Sequence, residues 1–218
     1  MNKTLNDYFD KIYCLNLDRR VDRWEQSLNE FRKHNLNVER FSAIDGKSNQ
    51  DIIQKVQKNR NLTHGVVGCA RSHRLMIEES NKKGHEVILV LEDDVEFHEN
   101  LNESFFQMIK KVPDDWDVLF LGCNCSLNND GQKEPVQKIN DSVYKLMFGY
   151  ATHAYALRKK CYDKVIKSLL PEHKPADVLF SRAQMQLNTY ALRPPLAWQR
   201  MSYSDVLEKN VYYDFLGK

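Results

Sequence analysis

VILVLEDDVEF, residues 87–97, runs five apolar residues together and follows them at once with three acids. A short, unbroken apolar run fits a central strand covered on both faces, as parallel sheets require. The acids at its end need a separate cause. Two carboxylates about 4 Å apart repel by roughly 4 kcal/mol at an effective dielectric of about 20, so they do not stabilise a fold by themselves. Either they splay into water or a cation gathers them. Side chains alternate along a strand, which places Glu92 and Asp94 on one side and Asp93 on the other. Such an i, i+2 pair suits one hard cation, and Mg2+ or Mn2+ on carboxylate oxygen commonly brings substrate phosphates with it. A solvated acidic turn is the plain alternative, and the triplet alone fits both.

Working outward, short apolar runs alternate with helical patterns. Ile12–Leu17 reads as a strand, followed by a helix with Trp24, Leu28 and Phe31 on one face. Val38–Ile44 reads as a second strand closed by Asp45-Gly46. A helix is expected from about Gly68 to Lys83, with Gly84 as its stop. After Val87–Leu91, Phe105–Lys110 looks helical and Val118–Leu121 is a buried strand. Residues 123–142 are rich in Asn, Asp, Gly, Gln and Lys and predict a long surface loop, a candidate acceptor lid. His153–Leu157 is a strand, with a helix near Lys160–Leu170, and the tail beyond Pro175 has no clear pattern. The alternation predicts an α/β fold with a mainly parallel sheet, one domain over 1–218. Ligands of open α/β sheets bind beyond the carboxyl ends of the strands, where Glu92-Asp93-Asp94 falls.

Hydrophobic residues make up 42% and charged residues 28%, an ordinary globular composition. A net charge of +2 gives no reason to expect nucleic acid as a partner. The five cysteines, 14, 69, 123, 125 and 161, are odd in number and include no CxxC, against a disulfide framework or a zinc ribbon. The first residues lack the apolar core of a secretory signal, and no run is long enough to span a bilayer. These features predict a cytoplasmic, reducing location, with no basic amphipathic helix calling for a membrane surface.

Three further segments bear on the acids. In LNLDRRVDRWE (15–25), Asn16 sits near the end of the first strand and Arg19, Arg20 and Arg23 follow. Guanidinium forks suit phosphate or carboxylate, and a solvated helix start suits them equally. In AIDG (43–46), Asp45 is either a turn residue or an acceptor over a ribose or base. In GVVGCARSH (65–73), Gly65 and Gly68 precede a helix whose first amides would be free for an anion. Ser72 and His73 lie in its first turns, His73 as either a packed residue or a ligand. Cys69 is expected to be buried, and a nucleophile pair with His73 is not expected.

In series, these segments resemble glycosyltransferase family 25. The likeness rests on Leu15-Asn16-Leu17-Asp18-Arg19-Arg20 with Arg23; Phe41-Ser42-Ala43-Ile44-Asp45-Gly46; Gly68-Cys69 with Ser72-His73; Leu91-Glu92-Asp93-Asp94; Asp117-Val118-Leu119 with Leu121-Gly122; and Thr152 with Tyr155-Ala156-Leu157. It covers residues 12 to about 160 and thins beyond Asp177, where Gln199 and Ser204-Asp205 match weakly. The resemblance implies a GT-A fold, a UDP-hexose donor, Mn2+ or Mg2+ on the acidic triplet, and inversion at the anomeric carbon. It implies a glycan or glycosylatable protein as acceptor. Under it, Asp94 holds the metal, joined by Glu92 and Gln199, while Glu92 or Asp93 can instead contact the ribose. Asn16, Arg19, Arg20, Asp45, Ser72 and His73 shape the donor pocket. An inverting transfer needs a base near the acceptor hydroxyl. Asp177 is the candidate, with a helix N-cap as its alternative role, and Asp117 is the second choice. Two rival readings remain: a Mg2+-dependent phosphoryl-transfer enzyme using the same acids, and a sugar- or nucleotide-binding module without turnover.

Overall fold

The structure, a computed structural model, describes residues 3–59, 61–124, 136–206 and 208–211. In chain order the elements are β1 (Lys11–Leu17), α1 (Val21–Lys33), β2 (Val38–Ala43), α2 (Gln50–Lys58), α3 (His64–Lys83), β3 (Val87–Glu92), β4 (Val95–Phe97) and α4 (Leu101–Met108). They continue with β5 (Val118–Asn124), β6 (Val136–Asn140), β7 (Val143–Leu146), β8 (Tyr150–Arg158), α5 (Tyr162–Ser168) and α6 (Ala176–Gln184). The last are β9 (Thr189–Leu192), β10 (Ala197–Gln199), β11 (Ser202–Ser204) and β12 (Lys209–Val211).

Among the described residues, eight strands form one sheet in the order β2-β1-β3-β8-β5-β9-β7-β6. Six run one way; β8 and β7 run against them, giving a mixed sheet with a parallel β2-β1-β3 half. Helices cover both faces, as the alternating pattern predicts. The period of two along β3 sorts its side chains between two cores. Leu89 and Leu91 pack with Phe31 of α1 and Phe105 of α4, whereas Ile88 and Val90 pack with Met76 and Ile77 of α3 and Phe180 of α6. All four are fully buried, each contributing about 1.5–3 kcal/mol of transfer free energy.

Helix α3 ends where expected, on Gly84 in the left-handed region (φ 78), a conformation that glycine adopts without a Cβ penalty. It starts earlier than expected. Thr63 caps it, its side chain accepting from Val66 N–H at 3.1 Å, so Gly65 and Gly68 lie inside the helix rather than before it. The expected anion cradle at Gly68 is therefore absent. Gly68 is small for packing: a Cβ there would stand 2.6 Å from the Ile44 carbonyl oxygen. The expected loop over 123–142 is also corrected at its ends. Strand β5 extends to Asn124 and β6 begins at Val136, while residues 125–135, with the proposed lid, lie outside the described residues. No helix among the described residues is long and apolar enough to cross a membrane.

Candidate active site

A cavity of about 430 Å3 opens at the carboxyl ends of β1, β2 and β3. The Asp205-Val206 segment and the start of α6 also line it. Asn16, Arg19, Asp45, Ser72, His73, Glu92, Asp93, Asp94, Asp177 and Gln199 all line it. Arg20 does not line it. Its guanidinium is held outside by Asp22 (2.9 Å) and Asp205 (2.6 Å), and Arg23 takes the inner position instead.

The acids divide as the end of β3 dictates. Glu92 is the last strand residue and follows Ile88 and Val90 toward α3, where His73 Nε2 lies 3.2 Å from its Oε1. Thr152 donates to the same oxygen at 2.6 Å. Asp93 faces α1. Asp94 has left the strand, so alternation no longer governs it, and it shares Asp93's partner. Arg23 Nη2 lies 2.8 Å from both Asp93 Oδ1 and Asp94 Oδ2. The expectation that Glu92 and Asp94 alone share a side is corrected: the two aspartates share Arg23, while Glu92 bonds to His73 and Thr152 at the wall of the same cavity.

Burial pushes the Asp93 carboxyl up to about 6, against the pull of Arg23. Burial also raises Asp94, with Arg23 opposing and Glu92 adding to the rise. Glu92 moves the other way: burial acts to raise it, but the hydrogen bonds from His73 and Thr152 outweigh that and hold it below the ordinary carboxylate range. Burial and the nearby acids lift the Cys69 thiol well above its usual value, which disfavours the free thiolate.

Several expected ligands act on the protein itself. Asn16 donates to Asp93 Oδ2 (2.6 Å) and to the Arg20 carbonyl (3.1 Å), while its oxygen accepts from Arg40 (2.8 Å). Ser72 donates to the Gly68 carbonyl and accepts from Ile44 N–H, tying α3 to the end of β2. Gln199, from β10, points its amide nitrogen at Asp94 Oδ2 (3.4 Å) and so orients that carboxylate. Asp177 is in the first turn of α6, after Pro175 at the N-cap. Its Oδ2 accepts from Ala151 N–H at 3.2 Å. Ala151 sits at φ 64, a conformation costing an alanine about 1–3 kcal/mol, and the hydrogen bond helps hold it there at the cavity wall. Asp117, the second choice of base, lies away from the cavity and pairs with Lys160.

Sequence reasoning missed the role of Asp205. It accepts from Arg19 (2.7 Å) and Arg20 (2.6 Å), and Arg19 also holds Asp45 at 2.8 Å. Asp18, Asp22 and Glu25 lie beside the three arginines, so the local sequence carried no signal that a distant carboxylate completes the cluster.

The residues fit a hard divalent ion. Asp94 Oδ1 is buried and has no hydrogen-bond partner among the described residues, an arrangement costly for a carboxylate oxygen unless something positive meets it. It stands in a cavity that also carries Glu92, Asp93 and the exposed side of Arg19.

A mixed α/β sheet carries an acid- and arginine-lined cavity at its strand ends, and the comparisons say to which class it belongs. The model of "Glycosyltransferase family 25 (LPS biosynthesis protein)" matches residues 9–180, and the chain belongs to that family. It is 27% identical over 213 residues to a glycosyltransferase 25 family member of Aedes aegypti, covering 86% of this chain and 34% of the relative. It is 26% identical over 173 residues to procollagen galactosyltransferase 2 of Mus musculus, covering 72% and 27%. It is 27% identical over 194 residues to the inactive glycosyltransferase 25 family member 3 of Homo sapiens, covering 80% and 32%. The chain thus spans about a third of the length of these relatives. Its fold is similar to that of S. aureus TarS residues 1–349, with a TM-score of 0.52 and 14% identity over 88% of this chain and 60% of that one.

Proposed function

We propose that this chain is a metal-dependent, inverting glycosyltransferase of GT-A type. It moves a hexose from a UDP-sugar to a glycan or to a hydroxylysine-type side chain. Family membership supports the reaction class, and a relative named as a galactosyltransferase makes galactose the first donor sugar to test. The observation that carries the reading is the partnerless, buried Asp94 Oδ1 in a cavity flanked by Arg19 and Arg23.

Asp94, with Glu92 beside it, would hold Mn2+ or Mg2+, which when bound supplies positive charge to the departing diphosphate. The chain's own residues do the rest. Arg19 gives its guanidinium to diphosphate oxygens, exchanging Asp205 for the donor. Asn16, Arg23 and Gln199 fix the directions of Asp93 and Asp94. Asp45, at the end of β2, stands where a ribose hydroxyl can donate to it. Asp177, which also lines the cavity, accepts the proton of the acceptor hydroxyl as that oxygen bonds to the anomeric carbon. The bond from that carbon to the diphosphate oxygen breaks on the other face, and the electron pair leaves with the nucleotide.

A second reading has a specific basis: relatives of this family are named inactive, so a binding module without turnover is the alternative. Nucleotide release from a panel of UDP-sugars with Mn2+, followed by product analysis, separates the two. Release with a glycosylated product supports transfer; saturable binding without product supports the module.

A further inference from the structure

We propose that Cys69, His73 and Glu92 form a second metal site, for a thiophilic divalent ion of the zinc class. This site shares Glu92 with the hard-ion position but does not use Asp94. Cys69 and His73 are four apart on α3 and therefore share one helix face, and the end of β3 brings Glu92 against them. One ligand atom from each of the three lies within 4.8 Å of the others. Two zinc bonds of about 2.0–2.1 Å meeting at a tetrahedral angle span about 3.3 Å. His73 Nε2 and Glu92 Oε1 are already 3.2 Å apart, so one edge of the tetrahedron is built. The Cys69 sulfur closes the remaining edges by moving about 1 Å, given zinc–sulfur bonds of about 2.3 Å.

The surrounding groups are those that metal-bound ligands use. Tyr155 OH lies 2.9 Å from His73 Nδ1, and Thr152 fixes Glu92. On binding, the thiol proton passes to solvent. The proton that Nε2 gives to Glu92 leaves that nitrogen, and the imidazole carries its single proton on Nδ1 instead, donating it to the Tyr155 oxygen, which frees Nε2 for the ion. Three protein ligands leave a fourth position facing the cavity, the pattern of an open site rather than a closed structural one. The thiolate is the selector, since manganese and magnesium favour oxygen and zinc accepts sulfur. Because Glu92 serves both positions, zinc then opposes the manganese-supported reaction. That consequence rests on the donor reading above; the binding itself does not.

Titration of the whole chain with Co2+, a spectroscopic stand-in for zinc, tests the site without any turnover. A sulfur-to-cobalt charge-transfer band should saturate at one ion per chain and disappear on adding zinc. Cys69→Ser should abolish the band with the circular dichroism unchanged. Tyr155→Phe should keep it but weaken binding by about 10- to 100-fold. Asp94→Asn should leave it intact. Absence of the band, its survival in Cys69→Ser, or its loss in Asp94→Asn would each overturn the proposal. A chain that binds Co2+ this way but releases no nucleotide would instead count against the donor reading alone.

Discussion

The Arg23 Nη2 atom lies 2.8 Å from Asp94 Oδ2 and, on its other side, 2.8 Å from Asp93 Oδ1. All three side chains are buried, at 9, 11 and 10% exposure. Both aspartates thus share one guanidinium, and among the described residues Asp94 Oδ1, like Arg23 Nε, has no hydrogen-bond partner.

Removing that guanidinium leaves two buried carboxylates without a cation. Arg23→Met is expected to destabilise the fold by about 3–5 kcal/mol in metal-free urea unfolding at neutral pH. A loss within about 0.5 kcal/mol, typical of a surface change, would show that Arg23 is not what gathers the acids.

Arg19 and Asp205 should act in opposite directions on the donor. Arg19→Ala removes a charge-assisted contact and is expected to raise the donor KM by about 10- to 100-fold with kcat little changed. Asp205→Asn removes the carboxylate that competes for the same guanidinium and should lower the KM. Steady-state kinetics with the UDP-sugar decide this, and shifts of the same sign in both variants would refute the exchange.

Gly68→Ala tests the contact between α3 and β2. Glycine to alanine inside a helix ordinarily stabilises by up to about 1 kcal/mol. Here the new Cβ meets the Ile44 carbonyl oxygen at 2.6 Å, so the sign reverses to a loss of about 1–3 kcal/mol. A rise in Tm would mean that the two backbones are not this close.

Glu172, buried outside the cavity, carries a pH dependence of stability. Burial acts to raise its carboxyl, but Arg71 and Lys55 outweigh that and hold it at about 2, against an ordinary value of 4.5. The unfolded chain therefore takes up the proton first as pH falls. The stability that Glu172 contributes is complete above about 4.5 and is lost between there and about 2. Glu172→Gln should flatten that part of the profile in unfolding measured across pH. An unchanged slope would assign the acid sensitivity to other carboxylates.

The strands that carry the site were readable because they are mostly apolar: β1, interrupted by Asn16, and β3 bury nearly every side chain and show it in sequence. The reversed direction of β8 was not readable, because a strand's direction is set by the neighbours it pairs with. Strands β10, β11 and β12 have three residues each, too short for any period, and β10 exists because β4 pairs with it. At the site, the residue types and their clustering were legible, and all but Arg20 of the expected donor and metal residues reach one cavity. Their pairings were not. Asp94 turns toward Arg23 because β3 stops at Glu92, and Asp205 meets Arg19 across 186 positions of sequence, a contact only the fold creates.

Asp94→Asn keeps the volume of the side chain and removes the charge offered to the ion. Isothermal titration of Mn2+ in the presence of UDP, on the native chain and this variant, measures the central claim directly. The account predicts saturable, UDP-dependent Mn2+ binding that Asp94→Asn abolishes while the thermal unfolding transition persists. Equal Mn2+ affinity in the two proteins would contradict it.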